Sequence, residues 1–184
     1  PLLVTANGDF DREAMAASLE VDLSAIGGRA IYNGTVSADA GQGEIRARFA
    51  DLAPLSAFIG QPIDGALSTT ISGNLFGGEG LDLTIEGVAN DLDPGQEIAA
   101  NLLAGETRFR LGLAQRTDGA IVLSDVAVDG QTVEVSGDVT LQGDTLDGDI
   151  AASLADISAL AEDSSGRLTI QAEVSGPMTR PQFD

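Results

Sequence analysis

The chain has 184 residues, enough for one domain with a sizeable core, and carries 29 Asp and Glu against nine basic residues, all arginine, for a formal charge of −20. It contains no His, Cys, Lys or Trp, which removes the triad base, thiolates and disulfides, Cys-based zinc sites, Schiff bases and the P-loop lysine. The charge disfavours nucleic acid and anionic membrane surfaces, while 43% hydrophobic content is too high for a disordered acidic tail; binding, scaffolding or a carboxylate-only reaction remain.

Apolar and polar residues alternate along most of the chain. The apolar phase runs through Leu19, Val21 and Leu23; then Ile45, Ala47 and Phe49; then Leu67, Thr69 and Ile71, with Gly73 and Leu75 in phase. It continues in Leu81, Leu83 and Ile85; Phe109, Leu111 and Leu113; Val133, Val135, Val139 and Leu141; Ile150, Ala152 and Leu154; and Leu168, Ile170, Ala172 and Val174. Such period-two runs predict strands with one dry and one wet face. About ten of them, one-sided rather than uniformly apolar, predict an antiparallel meander of hairpins. The dipeptides Asn33-Gly34, Asp64-Gly65, Asp118-Gly119, Asp129-Gly130 and Asp147-Gly148 are the expected turns. At Ser124-Asp125 the phase switches from Ile121 and Leu123 to Val126 and Val128, which calls for a bulge or a turn.

Helix is scarce. One is expected over 93–104, with Asp93 as N-cap, Pro94 in the first position, and Ile98, Leu102 and Leu103 on one side. Single turns are expected at 51–58 and 156–161. The longest apolar runs fall far short of the ~20 residues that span a bilayer, and no leader-like segment is visible. The start at Pro1 suggests a piece of a longer protein.

Two blocks, near 22–75 and 120–176, repeat a phrase. Ala50-Asp51-Leu52 leads to Gly65-Ala66-Leu67 and Ile71-Ser72-Gly73; Ala155-Asp156-Ile157 leads to Gly166-Arg167-Leu168 and Val174-Ser175-Gly176. The second interval is longer by an even number of residues, which keeps every side chain on its face. A second pair is Gly43-Glu44-Ile45-Arg46-Ala47-Arg48-Phe49 and Gly105-Glu106-Thr107-Arg108-Phe109-Arg110-Leu111. Its Glu-x-Arg-x-Arg charges fall on outer faces, where cross-strand pairing with acids is the plain reading. An anchor for a lipid phosphate or an acidic partner strand is the sharper one.

Other motifs carry less. Residues 77–82 fit a single GGxGxD calcium repeat, which functions only in tandem. Asp144, Asp147 and Asp149 cluster, but glycosidase-type chemistry needs one of a carboxylate pair in a partly buried cleft. The reading is therefore of a non-enzyme without cofactor or metal. The alternating aliphatic face either closes on itself as a sandwich core or stays open as a trough for acyl chains; periodicity is the same for both.

The run from Phe49 to Leu67 resembles the linker-plus-strand block of the TamB family, the inner membrane component of the translocation and assembly module. So do Leu102 to Thr107, Asp118-Gly119 with Ile121, and the stretch Val174 to Asp184. The all-arginine, Ala/Gly/Asp-rich style is similar to alphaproteobacterial members. The resemblance implies a mainly β fold: a curled antiparallel sheet forming an open hydrophobic groove, a β-taco, related to AsmA-like and bridge-like lipid transfer proteins. It also implies a periplasmic segment of a protein anchored in the inner membrane by a helix outside this chain. Its role would be lipid transport, outer-membrane biogenesis and protein secretion, shielding phospholipid acyl chains or nascent outer-membrane strands, with the barrel protein TamA as partner. The implied groove lining is Leu19, Val21, Leu23, Ile45, Phe49, Leu67, Ile71, Leu81, Leu83, Ile85, Phe109, Leu111, Leu113, Val133, Val135, Val139, Leu141, Ile150, Leu154, Leu168, Ile170 and Val174. The alternative is an acidic closed β-sandwich, a structural or adhesive module that takes calcium.

Overall fold

The structure, a computed structural model, describes residues 3–25, 27–77, 80–157 and 165–183. Its strands are β1 (Leu3–Asp11), β2 (Ala16–Ala25), β3 (Gly28–Ser37), β4 (Ala40–Phe49), β5 (Asp64–Gly77) and β6 (Asp82–Asp93). They continue as β7 (Glu106–Gln115), β8 (Ile121–Asp129), β9 (Val133–Gln142), β10 (Thr145–Leu154), β11 (Leu168–Pro177) and the two-residue β12 (Gln182–Phe183). All twelve form one antiparallel sheet in strict sequence order, a curled sheet that does not close into a barrel. Sequential hairpins produce this order because each one-sided strand finds its nearest complementary edge in its chain neighbour.

The register puts alternation on one face throughout. Val21 lies opposite Tyr32, Tyr32 opposite Ile45, Ile45 opposite Ile71, Ile71 opposite Ile85, and Ile85 opposite Leu111. Farther along, Leu123 faces Val139 and Val139 faces Gly148, which faces Val174. Between those residues Glu20, Glu44, Glu86, Glu134, Asp138, Asp147, Asp149 and Glu173 point to the opposite face, by the pleat.

Bulges interrupt the register at several places. β8 shifts register between Leu123 and Val126, with Asp125 at a positive φ of 51° and its N–H donating to Asp138 Oδ1 at 2.9 Å. The phase switch read from the sequence is therefore a bulge, held by a carboxylate from the next strand. A second shift lies where β4 steps between Gly41 and Gln42, so that Gly41 faces Phe76 while Gln42 faces Asn74. Leu75 falls inside that irregularity and has no register partner on β4.

Two of the five expected turn dipeptides are mid-strand instead. A third, Asp64-Gly65, forms the first two residues of β5, while Asn33-Gly34 lies within β3 and Asp147-Gly148 within β10. Both mid-strand glycines face the apolar side, where a side chain has no room. A Cβ at Gly34 would come within 2.3 Å of the Tyr32 hydroxyl and of the Gln42 carbonyl, and one at Gly148 within 2.2 Å of the Asp138 carbonyl. Close approach, not chain reversal, is what these glycines serve.

The helical expectations hold in part. α1 is a single turn, Ser56–Ile59, preceded by a 3-10 turn at Ala53–Leu55, in the predicted place. α2 is Glu97–Leu102, shorter than 93–104, with Gln96 rather than Asp93 at its N-cap. Asp93 still ends β6, and its carboxylate accepts the Gly95 N–H at 2.7 Å, a turn that delays the helix. The turn expected at 156–161 falls mostly outside the described residues.

The first repeat is carried by matching hydrogen bonds. Leu52 N–H donates to the Gly65 carbonyl (2.8 Å), as Ile157 N–H does to that of Gly166 (2.9 Å). Likewise Ala50 N–H meets the Gly27 carbonyl (3.2 Å) and Ala155 N–H that of Thr132 (3.0 Å). The shared phrase encodes how the chain re-enters the sheet after β4 and after β10.

Candidate functional site

Among the described residues, no second layer covers the apolar face. The only buried apolar side chains among the described residues are Leu52, Ala89, Ala120, Val133, Leu154 and Val174, and no large side chain is fully enclosed. The protein exposes 11821 Å², whereas a compact monomer of its 18.7 kDa exposes about 8,300 Å². A second layer would remove that excess. A closed sandwich needs such a layer, and twelve strands in a single sheet supply none.

Register places the predicted lining residues together. All lie on this face within strands except Leu81, which stands just ahead of β6, its carbonyl accepting the Gln115 N–H at 2.8 Å. Exposure is graded: Val133 and Leu154 (each 8% exposed) are covered, while Leu23 (38%) and Ile170 (50%) are open. Aromatic rings lie over glycines: a Cβ at Gly28 would sit 2.2 Å from the Phe49 ring, and one at Gly87 2.6 Å from Phe109. Polar groups on this face are few. Tyr32 donates to the Gln42 carbonyl (3.3 Å), Thr69 to the Glu86 carbonyl (2.9 Å), and Thr107 Oγ1, 2% exposed, has no partner.

The opposite face holds what sequence reasoning missed. A cavity of about 890 Å³ opens there, its floor formed by β5 and β6 and its walls by arginines of β4 and β7. Register resolves it into two rows. One reads Ile31, Arg46, Thr70, Glu86, Arg110; the other reads Arg29, Arg48, Ser68, Val88, Arg108, Asp129. The two Glu-x-Arg-x-Arg copies thus stand across from each other on antiparallel strands. The motif was legible in the sequence; its convergence needed the register of four strands.

Charge pairing within this cavity is mostly along strands. Arg46 pairs with Glu44 (2.6 Å) and Arg108 with Glu106, each two residues away on the same strand, in place of the expected cross-strand pairs. Only Arg29 reaches across, donating Nε–H to Asp22 Oδ1 (2.9 Å) and a terminal N–H to Oδ2 (2.5 Å). That bidentate hydrogen bond holds the Asp22 carboxyl below the usual carboxylate range and raises the Arg29 guanidinium. Arg48 donates to Ser68 Oγ (3.3 Å), and neither Arg48 nor Arg110 has an ion pair among the described residues.

A shallower hollow on the same face is lined by Asp138, Asp149 and Glu173. Among the described residues no three His, Cys, Asp or Glu converge as metal ligands. The calcium-like motif at 77–82 includes residues 78 and 79, outside the described set. No helix among the described residues is long and apolar enough to cross a membrane. No family model, curated protein or solved structure matches this chain.

Proposed function

We propose that this chain shields phospholipid acyl chains on its open aliphatic face, as one periplasmic segment of a TamB-like protein anchored in the inner membrane. The observation that carries this reading is an apolar face continuous across the sheet with no layer over it. Eleven strand spacings at about 4.8 Å make a path of about 53 Å, longer than one bilayer leaflet and suited to tails passed in file.

Acyl chains fit this surface for a chemical reason. Its side chains are mainly Leu, Val, Ile and Ala, with only seven aromatics in the whole chain. Burial against such groups is non-directional, so a tail shifts by one strand with nearly equal free energy before and after. No polar ring of donors fixes a head group on this side. The acidic opposite face keeps a protein with so much exposed aliphatic surface soluble and discourages face-to-face association. TamA would be met through other parts of the full-length protein.

Photo-crosslinking groups at Leu83, Leu111 and Val135, with Thr84 and Ser136 on the other face as controls, test this reading. Crosslinks to phospholipid from the first three and none from the controls are expected, together with co-purifying lipid in mass spectra. Absence of lipid with crosslinks only inside the protein would overturn it. A calcium-driven rise in melting temperature would instead favour the adhesive-module alternative.

A further inference from the structure

We infer that the arginine-walled cavity on the polar face binds a compact phosphate-bearing ligand, with Arg48 and Arg110, the two wall arginines without an ion pair among the described residues, as its anchors. Five of the nine arginines line this single cavity, in a chain of net charge −20. Of these five, Arg29, Arg46 and Arg108 pair with carboxylates. Arg48 and Arg110 have none among the described residues, although Glu86 stands directly opposite Arg110 in the register.

Their placement is symmetrical. Because β4 and β7 are antiparallel, a local two-fold axis normal to the sheet between β5 and β6 relates Glu44, Arg46 and Arg48 to Glu106, Arg108 and Arg110. Arg48 and Arg110 therefore occupy equivalent backbone positions at diagonal corners, Arg48 opposite Ser68 and Arg110 opposite Glu86. Three strand spacings and a two-residue step put their Cα atoms about 16 Å apart, and both side chains are long enough to reach inward over the small floor residues Ser68 and Thr70.

The ligand class follows from charge and shape. A free guanidinium presents a planar fork that matches phosphate oxygens bidentately. A phosphate is favoured over a single carboxylate because it presents more oxygens, and up to two charges, to the guanidinium forks. The volume, about 890 Å³, suits a small molecule. A long acidic chain is disfavoured, because Glu44 and Glu106 stand just beyond the arginines at opposite ends of the cavity. The site faces away from the aliphatic side, so it stands independently of the acyl-chain proposal. The phosphate could belong to a free metabolite-sized anion or to a lipid head group presented from a membrane.

Titration calorimetry with pyrophosphate, and co-sedimentation with phosphatidylcholine vesicles with and without phosphatidic acid, separate those sources. Saturable one-to-one binding of pyrophosphate is expected, weakened at least tenfold in R48Q/R110Q and tightened a few-fold in E86Q. R116Q/R167Q, with the same charge change elsewhere, is expected to leave it unaltered. Binding only to phosphatidic acid vesicles, with the same dependence on Arg48 and Arg110, assigns the lipid source and equally supports the site. No saturable binding to either probe overturns it, as does equal weakening in both double variants. Unchanged circular-dichroism melts in R48Q/R110Q, both exposed side chains, exclude misfolding as the cause of any loss.

Discussion

The Phe109 ring lies flat over Gly87, its register partner on β6, where a Cβ would come within 2.6 Å of the ring and 2.5 Å of the Ser68 carbonyl. Phe49 covers Gly28 in the same way one end of the sheet away. In a sheet without a second layer, the ring substitutes for the missing cover by packing on bare backbone next door. Gly87→Ala should therefore destabilise by about 1–3 kcal/mol through overpacking, read from urea midpoints. In the F109A background the same change should lose only the ring's share of that cost, since the Ser68 carbonyl still stands 2.5 Å from the Cβ position. Equal costs in the two backgrounds would mean that the ring is not what excludes the methyl.

Thr107 is the one described buried hydroxyl without a partner. It sits on the aliphatic face opposite Ala89, itself buried. Thr107→Val keeps the shape and β-branching and removes an unmet polar group, so stability should rise by about 1 kcal/mol. A loss on thermal melting would show that the hydroxyl has a partner in solution, most simply a bound water.

Which residues share a face was legible in the sequence, because a pleat admits only one period and any slip would turn every aliphatic residue outward. Strand order followed from one-sided strands met in sequence, most of them joined by short hairpins. Two things were not legible. Asn33-Gly34 and Asp147-Gly148 read as turns, since a Gly that admits a close neighbour looks the same as a Gly that reverses the chain. The arginine cavity depended on Arg48 and Arg110 meeting across three strand spacings, which local spacing does not encode. The Ser124-Asp125 bulge was visible only because the aliphatic phase broke there.

That bulge makes its own prediction. The Asp125 amide has lost its ladder partner and is satisfied by Asp138 Oδ1 at 2.9 Å. Asp138→Ala should cost about 0.5–1.5 kcal/mol, and Asp138→Asn, which keeps an acceptor, less. Amide hydrogen exchange at Asp125 should accelerate in the alanine variant while β10 and β11 stay protected. Uniform acceleration throughout the sheet would mean that the bulge is not locally held.

Asp22 supplies the pH signature. Its carboxyl is held below the usual range by the Arg29 hydrogen bond, so the pair's stabilisation is present above the unfolded value of about 3.9 and is lost as pH falls through the lower folded value. Carbon-detected NMR should find the Asp22 midpoint below the ordinary carboxylate range. In R29Q it should return to the ordinary carboxylate range. A midpoint indifferent to that substitution would place the cause elsewhere than in the guanidinium.

The openness of the aliphatic face gives the last test, because closed and open faces predict different costs for the same truncation. In a sealed core Leu→Ala costs about 2–5 kcal/mol, part of it for the cavity left behind. Leu111 and Ile85 are half-buried neighbours on an uncovered face, so no cavity is enclosed when either is shortened. Leu111→Ala should cost only about 1–2 kcal/mol, the transfer free energy of the area lost from contact. The folded protein should also bind an apolar fluorescent dye without the loss of cooperative melting that marks a molten state. I85D/L111D should reduce that dye binding several-fold, whereas T84D/S136D on the other face should not. A cost for Leu111→Ala in the sealed-core range, with no dye bound by the native protein, would mean that the face is covered in solution.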